Sequence, residues 1–377
     1  MITGILGLCA RDVGHEAMYS SLAQALTRFS ATRGAWDELL CQAERQGIAP
    51  LLHHHLKTLG FIVPDRAARR QLQGLFLRTR RANEIRRTAI GVIVSAFQDE
   101  SIDCLLVKGI ALGSFVYRDP AHRPMRDIDL LVKNADATRA AQLLFDLGYH
   151  TEREHDIPAD YYHLPPLCKT IDGLPVTIEI HRNLLPLHRH YPRWPLERSY
   201  PSAMSIDIDG LEAQTLSLED TLGAVFLHGF RAPLTYEPFR LVHVADIVSL
   251  VESRCGAIDW SVIRADFPGL LASISRFHTL TPWQDFVISK LNLPVHDHYS
   301  SRPDAYHGWP RQRIRSAKAH GLLALLGQTL LPSRWWLQVY YGQLGGLRLM
   351  KTRLFDHPMQ LLYWARVYWH AYAHKNK

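Results

Sequence analysis

The chain has 377 residues, 47% of them hydrophobic and 21% charged, a balance that excludes a disordered or fibrous protein and gives length for two or three domains. The net charge of +7 is uneven, because positions 301 to 377 carry 12 Lys and Arg against Asp304 and Asp356, a local +10, which leaves −3 for the first 300 residues. No stretch reaches about 18 uninterrupted apolar residues, since Gly321 to Leu331 is closed by Pro332 and Arg334, and no positive flank precedes the apolar start, so a transmembrane helix and a secretory signal are excluded and a cytoplasmic location is expected.

The five cysteines are scattered, without a C-x-x-C pair, and are expected as buried thiols in a reducing compartment rather than as a zinc or redox site. From Gly14 to Glu100, apolar residues recur at three- and four-residue spacing, and Ala89 to Phe97 reads as the last helix of an N-terminal helical region, 1–100. Within it, Asp65 to Arg87 holds eight arginines against Asp65 and Glu84. Such a run is either a solvated helix face or a surface for a polyanion, and it lacks the interleaved aromatics of a single-strand stacking platform.

The texture changes at Cys104 to Val107, a buried strand that runs into a Lys108-Gly109 turn and a helix over Ile110 to Tyr117. A Pro- and Arg-rich loop leads to a second strand, Asp127 to Val132. An amphipathic helix over Ala135 to Leu147 stops at Gly148, and Val176 to His181 is a third strand. Strands and helices alternate across 101–205. Ile206 to Gly210 reads as a hairpin with an Asp-Gly turn, Ser217 to Asp220 as a helix cap, and Val242 to Val251 as a helix. A third region, 206–377, is therefore helical, with a basic end rich in Trp335, Trp336, Tyr340, Tyr341, Tyr363, Trp364, Tyr368 and Trp369, which read as core or partner contacts. The fold class expected is α+β, a small mixed-sheet core flanked by N-terminal and C-terminal helical regions.

Alternate strand residues face the same side, so Asp127 and Asp129 share a face with α-carbons about 6.6 to 7 Å apart, while Ile128 and Leu130 point to the core. Two carboxylates so placed repel unless a cation lies between them, and oxygen ligands favour Mg²⁺ or Mn²⁺. Alone, the pair also fits a solvated strand edge. The same tripeptide pattern recurs at Asp207 and Asp209, but Gly210 marks that copy as a turn with its acids in water. Glu179 shares a strand face with Thr177 and His181, and if that strand lies beside Asp127 to Val132 it adds a third carboxylate, as a two-metal site requires. Upstream, the Lys108-Gly109 turn at a helix start offers N–H groups and a point charge to phosphate, without matching a P-loop. Arg123 and Arg126 flank the acids as phosphate ligands or as plain counter-ions. His181 is a candidate base beside Glu179, whereas His163, His228 and Asp246 read as structural.

The stretch Leu105 to Leu112, then Tyr117, Asp119, Arg123-Pro-Met-Arg-Asp-Ile-Asp-Leu-Leu-Val132 and Leu147-Gly-Tyr149, resembles the uncharacterised bacterial nucleotidyltransferase family of the polymerase-beta-like superfamily. The resemblance extends through Ile178 to His181, Leu218 to Asp220, His228 and Arg240 to Asp246. It implies Asp127 and Asp129 as the metal-binding pair, Glu179 as the third carboxylate and Gly109 as the glycine of the phosphate turn. Against the wider superfamily, the usual Gly-Ser turn is Gly109-Ile110 here, and 16 residues separate it from Asp127.

The function expected is metal-dependent transfer of a nucleoside monophosphate from NTP to an acceptor, with pyrophosphate leaving. The acceptor is a small molecule, a sugar phosphate, a peptide or protein, or an RNA end, with nucleic acid the less favoured partner. Alternatives are an Asp-x-Asp glycosyltransferase using a nucleotide-sugar and a non-catalytic nucleotide-binding protein. Lys108 is expected at the turn, binding triphosphate, and apart from the acids.

Overall fold

The computed structural model describes residues 1–29, 33–151, 161–185, 192–230, 240–293, 323, 330, 337, 341, 345–363 and 365–366. The expected α+β class holds, with helices on either side of the strand-bearing region in the chain. Five helices come first: α1 (Ile2–Leu8), α2 (Glu16–Thr27), α3 (Arg33–Arg45), α4 (Ala49–Thr58) and α5 (Arg66–Asp99). The arginine run and Ala89 to Phe97 form one helix of 34 residues, α5, capped where the Asp65 side chain accepts the N–H of Ala68 at 2.7 Å. No proline or glycine pair interrupts that span, so two segments of different polarity continue as one rod.

Strand β1 (Cys104–Val107) runs directly into α6 (Lys108–Phe115), and β2 (Asp127–Val132) into α7 (Ala137–Asp146). Gly148, at φ +85°, follows α7 as the expected left-handed stop. The rest of the sheet comes from β3 (His150–Thr151), β4 (Leu167–Ile171), β5 (Leu174–His181), β6 (Met204–Ile208) and β7 (Leu211–Thr215). The seven strands lie in the order β3-β4-β5-β2-β1-β7-β6. Strands β2 and β5 are parallel, as are β1 and β7, while β1 pairs with β2 antiparallel. Asp209 and Gly210 both have positive φ, 55° and 90°, as a two-residue hairpin turn requires. That hairpin joins the sheet through β7, so the sheet continues beyond residue 205.

The short helix α8 (Leu196–Ser199) precedes β6, and after β7 come α9 (Leu218–Phe230), α10 (Leu241–Arg254), α11 (Trp260–Asp266), α12 (Pro268–Phe277) and α13 (Asp285–Leu291). Ser217 caps α9 as expected, its hydroxyl accepting the Asp220 N–H at 3.1 Å. Among the described residues, no helix is long and apolar enough to cross a membrane. Tyr341 and Tyr363 are the members of the C-terminal aromatic group that fall within the described residues; the tryptophans and most of the basic residues from 301 on lie outside them. The cysteines are free, and three are buried, but Cys41 is exposed and Cys104 half-buried, so the uniform burial expected does not hold. Cys104 opens β1, and Cys41 lies on the solvent side of α3 between the buried Leu40 and Ala43.

Two apolar clusters sandwich the sheet. One joins Ile128, Leu130 and Val132 of β2 and Val176, Ile178 and Ile180 of β5 to the C-terminal half of α5 and to α7. The other takes Leu105, Val107 and Leu131 with helices from both ends of the chain, from Ile5 and Leu6 of α1 to Phe277 of α12. Helix α5 contributes Leu72 and Leu75 to the second and Ile90 and Ile93 to the first, so it spans both layers. The even-numbered residues of β2 thus face one core and the odd-numbered acids face the side of the terminal helices.

Candidate active site

Asp127, Asp129 and Glu179 come together on that second face. The parallel register sets Asp129 against Glu179, Asp127 against Thr177 and Leu131 against His181. Asp129 is buried at 2% exposure, and its Oδ1 accepts from His181 Nε2 at 2.9 Å. His181 Nε2 also lies 3.4 Å from Glu179 Oε2. One ligand atom each from Asp129, Glu179 and His181 fall within 4.8 Å of one another, close enough to share a cation. Their oxygen and imidazole donors suit a divalent ion. His181 therefore belongs to the ligand cluster, and Asp127 stands beside it.

The electrostatics reflect this crowding. Burial, followed by repulsion from Asp129, pushes the Asp127 carboxyl up to about 6. Burial acts the same way on Asp129, but the Lys108 ammonium and His181 outweigh it and hold that carboxyl well below the usual range. Burial and then Lys108 depress the His181 imidazole, yet its bonds to Asp129 and Glu179 prevail and raise it above its ordinary value.

Lys108 lies among the acids and not apart from them. Because Val107 is the register partner of Asp129 across β1 and β2, the next residue emerges beside that carboxylate, and Lys108 Nζ donates to Asp129 Oδ1 at 2.5 Å. The residue sits at φ +56°, a left-handed conformation that is uncommon for a long side chain. The turn and the acids are one place. Gly109 contributes space: a Cβ there would stand 2.7 Å from Arg123 Nη1 and 2.9 Å from Met125 Cβ.

Arg123, open in the sequence between a phosphate ligand and a counter-ion of the flanking acids, is the counter-ion of a different acid. Its Nε and Nη2 donate to the two oxygens of Asp246, at 3.1 and 2.9 Å, while Nη1 donates to the Pro124 carbonyl. Tyr117 completes the cluster by donating to Asp246 Oδ1 at 2.7 Å. The guanidinium neutralises a buried acid on α10, which agrees with the structural reading of Asp246. Arg126 is exposed at the cleft edge, and its carbonyl accepts from Arg86 Nη2 at 3.2 Å.

The acids open into a cleft of about 560 Å³, within the usual range of ligand pockets. Its walls come from α5 (Arg78, Asn83, Arg86), the β1–α6 turn, the loop before β2, and α9 and α10. His228 and His243 face each other there with ring centroids 5.4 Å apart, both held neutral chiefly by burial. His163 pairs with His181 through an isolated bridge, and its Nδ1 contacts the Leu164 carbonyl at 2.7 Å. Asn83, Arg86 and His243 were not singled out by sequence reasoning. Asn83 ties α5 to the motif loop through the Pro120 and Arg123 carbonyls, at 2.7 and 3.0 Å. The signal available for it was a polar residue at an inward position of the helix.

The profile of the family described as uncharacterised nucleotidyltransferase matches residues 32–269, well over half of the chain. Two solved structures show distant likeness. An antigenic nucleotidyltransferase-like protein from Paracoccidioides brasiliensis is 15% identical with a TM-score of 0.36, covering 56% of this chain and 94% of that one. The antibiotic-resistance factor ANT(2'')-Ia is 18% identical with a TM-score of 0.32, covering 51% of this chain and 96% of its own. No curated protein gives a significant match. The chain belongs to the uncharacterised nucleotidyltransferase family.

Proposed function

We propose that this protein transfers a nucleoside monophosphate from NTP to an acceptor hydroxyl or phosphate, using the acids of β2 and β5. The observation that carries this reading is the parallel register that sets Asp129 against Glu179, with Asp127 on the same strand face and His181 bonded to both partners. Three acids on one sheet face are costly without positive charge among them, and the single ammonium of Lys108 balances only part of theirs. Asp127, Asp129, Glu179 and His181 would hold Mg²⁺ or Mn²⁺, which when bound neutralises phosphoryl oxygens and lowers the barrier to in-line displacement.

The acceptor oxygen forms its bond to the α-phosphorus as the bond to pyrophosphate breaks, and the acceptor proton passes to Glu179. Glu179 suits that task better than His181, because its side chain keeps 21% exposure toward the cleft while the imidazole is fully buried with Nε2 engaged. Lys108, the Gly109 turn and Arg126 form the phosphate side, and Arg123 shapes the site by fixing α10 against the motif loop. The remaining cleft takes the acceptor, which we read as a small molecule, sugar, peptide or protein before an RNA end.

The motif from Leu105 to Val132 also supports a place in the polymerase-beta-like superfamily and a bacterial origin, and the scattered, unpaired cysteines support a cytoplasmic location. We read the chain as a helical region 1–100, a core that begins at 101 and is extended past 205 by β6 and β7, and a helical, basic region beyond Thr215. The test is incubation with each NTP, labelled at the α- or γ-phosphate, together with Mg²⁺ and cell extract. Label carried to an acceptor from the α position alone supports the reading. Transfer only from nucleotide-sugars would assign the Asp-x-Asp to glycosyl transfer instead.

A further inference from the structure

Lys108 and a divalent ion compete for the same atoms. Asp129 Oδ1 already accepts from Lys108 Nζ at 2.5 Å and from His181 Nε2 at 2.9 Å. An ion bound to Asp129, Glu179 and His181 would stand about 2.0 to 2.2 Å from each ligand atom, and so within a few ångströms of the ammonium. Like charges that close repel strongly in a site shielded from water.

The backbone of Lys108 points the same way. Its φ of +56° is a strained conformation for a residue with a β-carbon, and such strain persists where surrounding contacts enforce it. At that turn the side chain is directed to Asp129, whose side chain is 2% exposed. The lysine side chain is 22% exposed and lines the cleft, so the ammonium has a path out of the acid cluster. A flexible four-carbon stem carrying a point charge can occupy either position, which a rigid guanidinium fork cannot.

We propose that Lys108 is an exchangeable internal cation, which neutralises Asp129 and Glu179 in the metal-free protein and yields that place to the divalent ion. The inference rests on the metal-site reading above. Once displaced, the ammonium faces the cleft, where it meets the phosphates of the incoming nucleotide. The serine usual in this turn across the wider superfamily is Ile110 here, and the lysine supplies both the phosphate contact and the charge balance of the resting site. Metal and triphosphate binding then reinforce each other, because each favours the outward position of one side chain.

The test is calorimetric titration with Mn²⁺ alone, without nucleotide, of the wild-type protein, Lys108→Met, Lys108→Gly and Asp129→Asn. Glycine tolerates the left-handed conformation, so Lys108→Gly keeps the fold even if the methionine variant does not. Both Lys108 variants should bind Mn²⁺ about tenfold or more tightly than wild type, the scale of a typical coupling between sites. With Mn²⁺ saturating, inorganic tripolyphosphate should bind the same variants more weakly than wild type. Unchanged Mn²⁺ affinity in both Lys108 variants, with binding abolished in Asp129→Asn, would overturn the exchange and leave the metal site standing. No Mn²⁺ binding by any form would overturn both. Tripolyphosphate binding undiminished in the Lys108 variants would overturn the outward phosphate contact.

Discussion

Asp129 and Glu179 are register partners across the parallel pair β2 and β5, and a single imidazole nitrogen, Nε2 of His181, reaches both. Backbone pairing holds the α-carbons of these two acids side by side, so both side chains leave the sheet on the same face. The charge they gather is therefore a fixed property of the fold, and neighbouring groups must adapt to it.

Asp127 carries the clearest mark of that charge, with its carboxyl raised from 3.8 to about 6. A carboxyl raised on folding holds its proton longer in the native state, so its contribution is full below the unfolded value and is lost as pH rises through the folded one. In EDTA, Asp127→Asn should therefore gain stability over wild type between pH 4 and pH 7, by up to about 3 kcal/mol at the upper end and by almost nothing at the lower. Urea denaturation of both proteins at the two pH values measures the difference. A gain that does not grow with pH would show that Asp127 is not crowded.

Arg123 should matter for stability more than for nucleotide contact. Asp246 is 1% exposed and loses both charge-assisted bonds when the guanidinium is removed, which costs about 3 to 5 kcal/mol for a buried pair broken on one side. Arg123→Met should therefore unfold early, and Arg123→Met combined with Asp246→Leu should recover most of the loss. Denaturation midpoints of the single and double variants check this, and an additive pair would contradict it. Gly109→Ala should destabilise by about 1 to 3 kcal/mol, because its Cβ meets Arg123 and Met125.

The second Asp-x-Asp, Asp207 and Asp209, provides an internal control. Asp209 sits in the hairpin turn with its side chain 62% exposed and pairs with Arg87 at 2.6 Å, so the turn's acids are held in part by an arginine and not by water alone. Asp207→Asn and Asp209→Asn should change stability by no more than about 1 kcal/mol and leave Mn²⁺ affinity and turnover as in wild type. Loss of metal binding in either would mean that the ion is held elsewhere.

The periodicity of the chain disclosed the parts of this site but not their assembly. Alternation along Asp127 to Val132 and Val176 to His181 identified which side chains share a face, because a strand has period two whatever its neighbours are. It did not give the register that makes Asp129, and not Asp127, the partner of Glu179, since β3 and β4 intervene in the chain and pairing is a long-range choice. The place of Lys108 failed for the same reason: its contact with Asp129 follows from β1 pairing with β2, which no local pattern encodes. Nearness in sequence offered Arg123 to phosphate or to the flanking acids, while Asp246, 123 positions away, claims it in space. The division of α5 between two cores was hidden because most of its arginines, Arg66 to Arg81, are exposed and break the apolar pattern in the middle, while Arg86 is buried among the apolar residues that follow.

Glu179→Gln is the most direct test of the account. The substitution keeps shape and removes charge from the group assigned to take the acceptor proton, a role that contributes roughly 10² to 10⁴ in rate. Pyrophosphate release should be measured at saturating NTP and Mg²⁺ with the extract that supplies the acceptor, alongside a folded His181→Ala variant. The account predicts that Glu179→Gln loses at least about 10² in turnover while NTP still binds. Near-native turnover in Glu179→Gln, with His181→Ala inactive, would contradict it and move the base to His181.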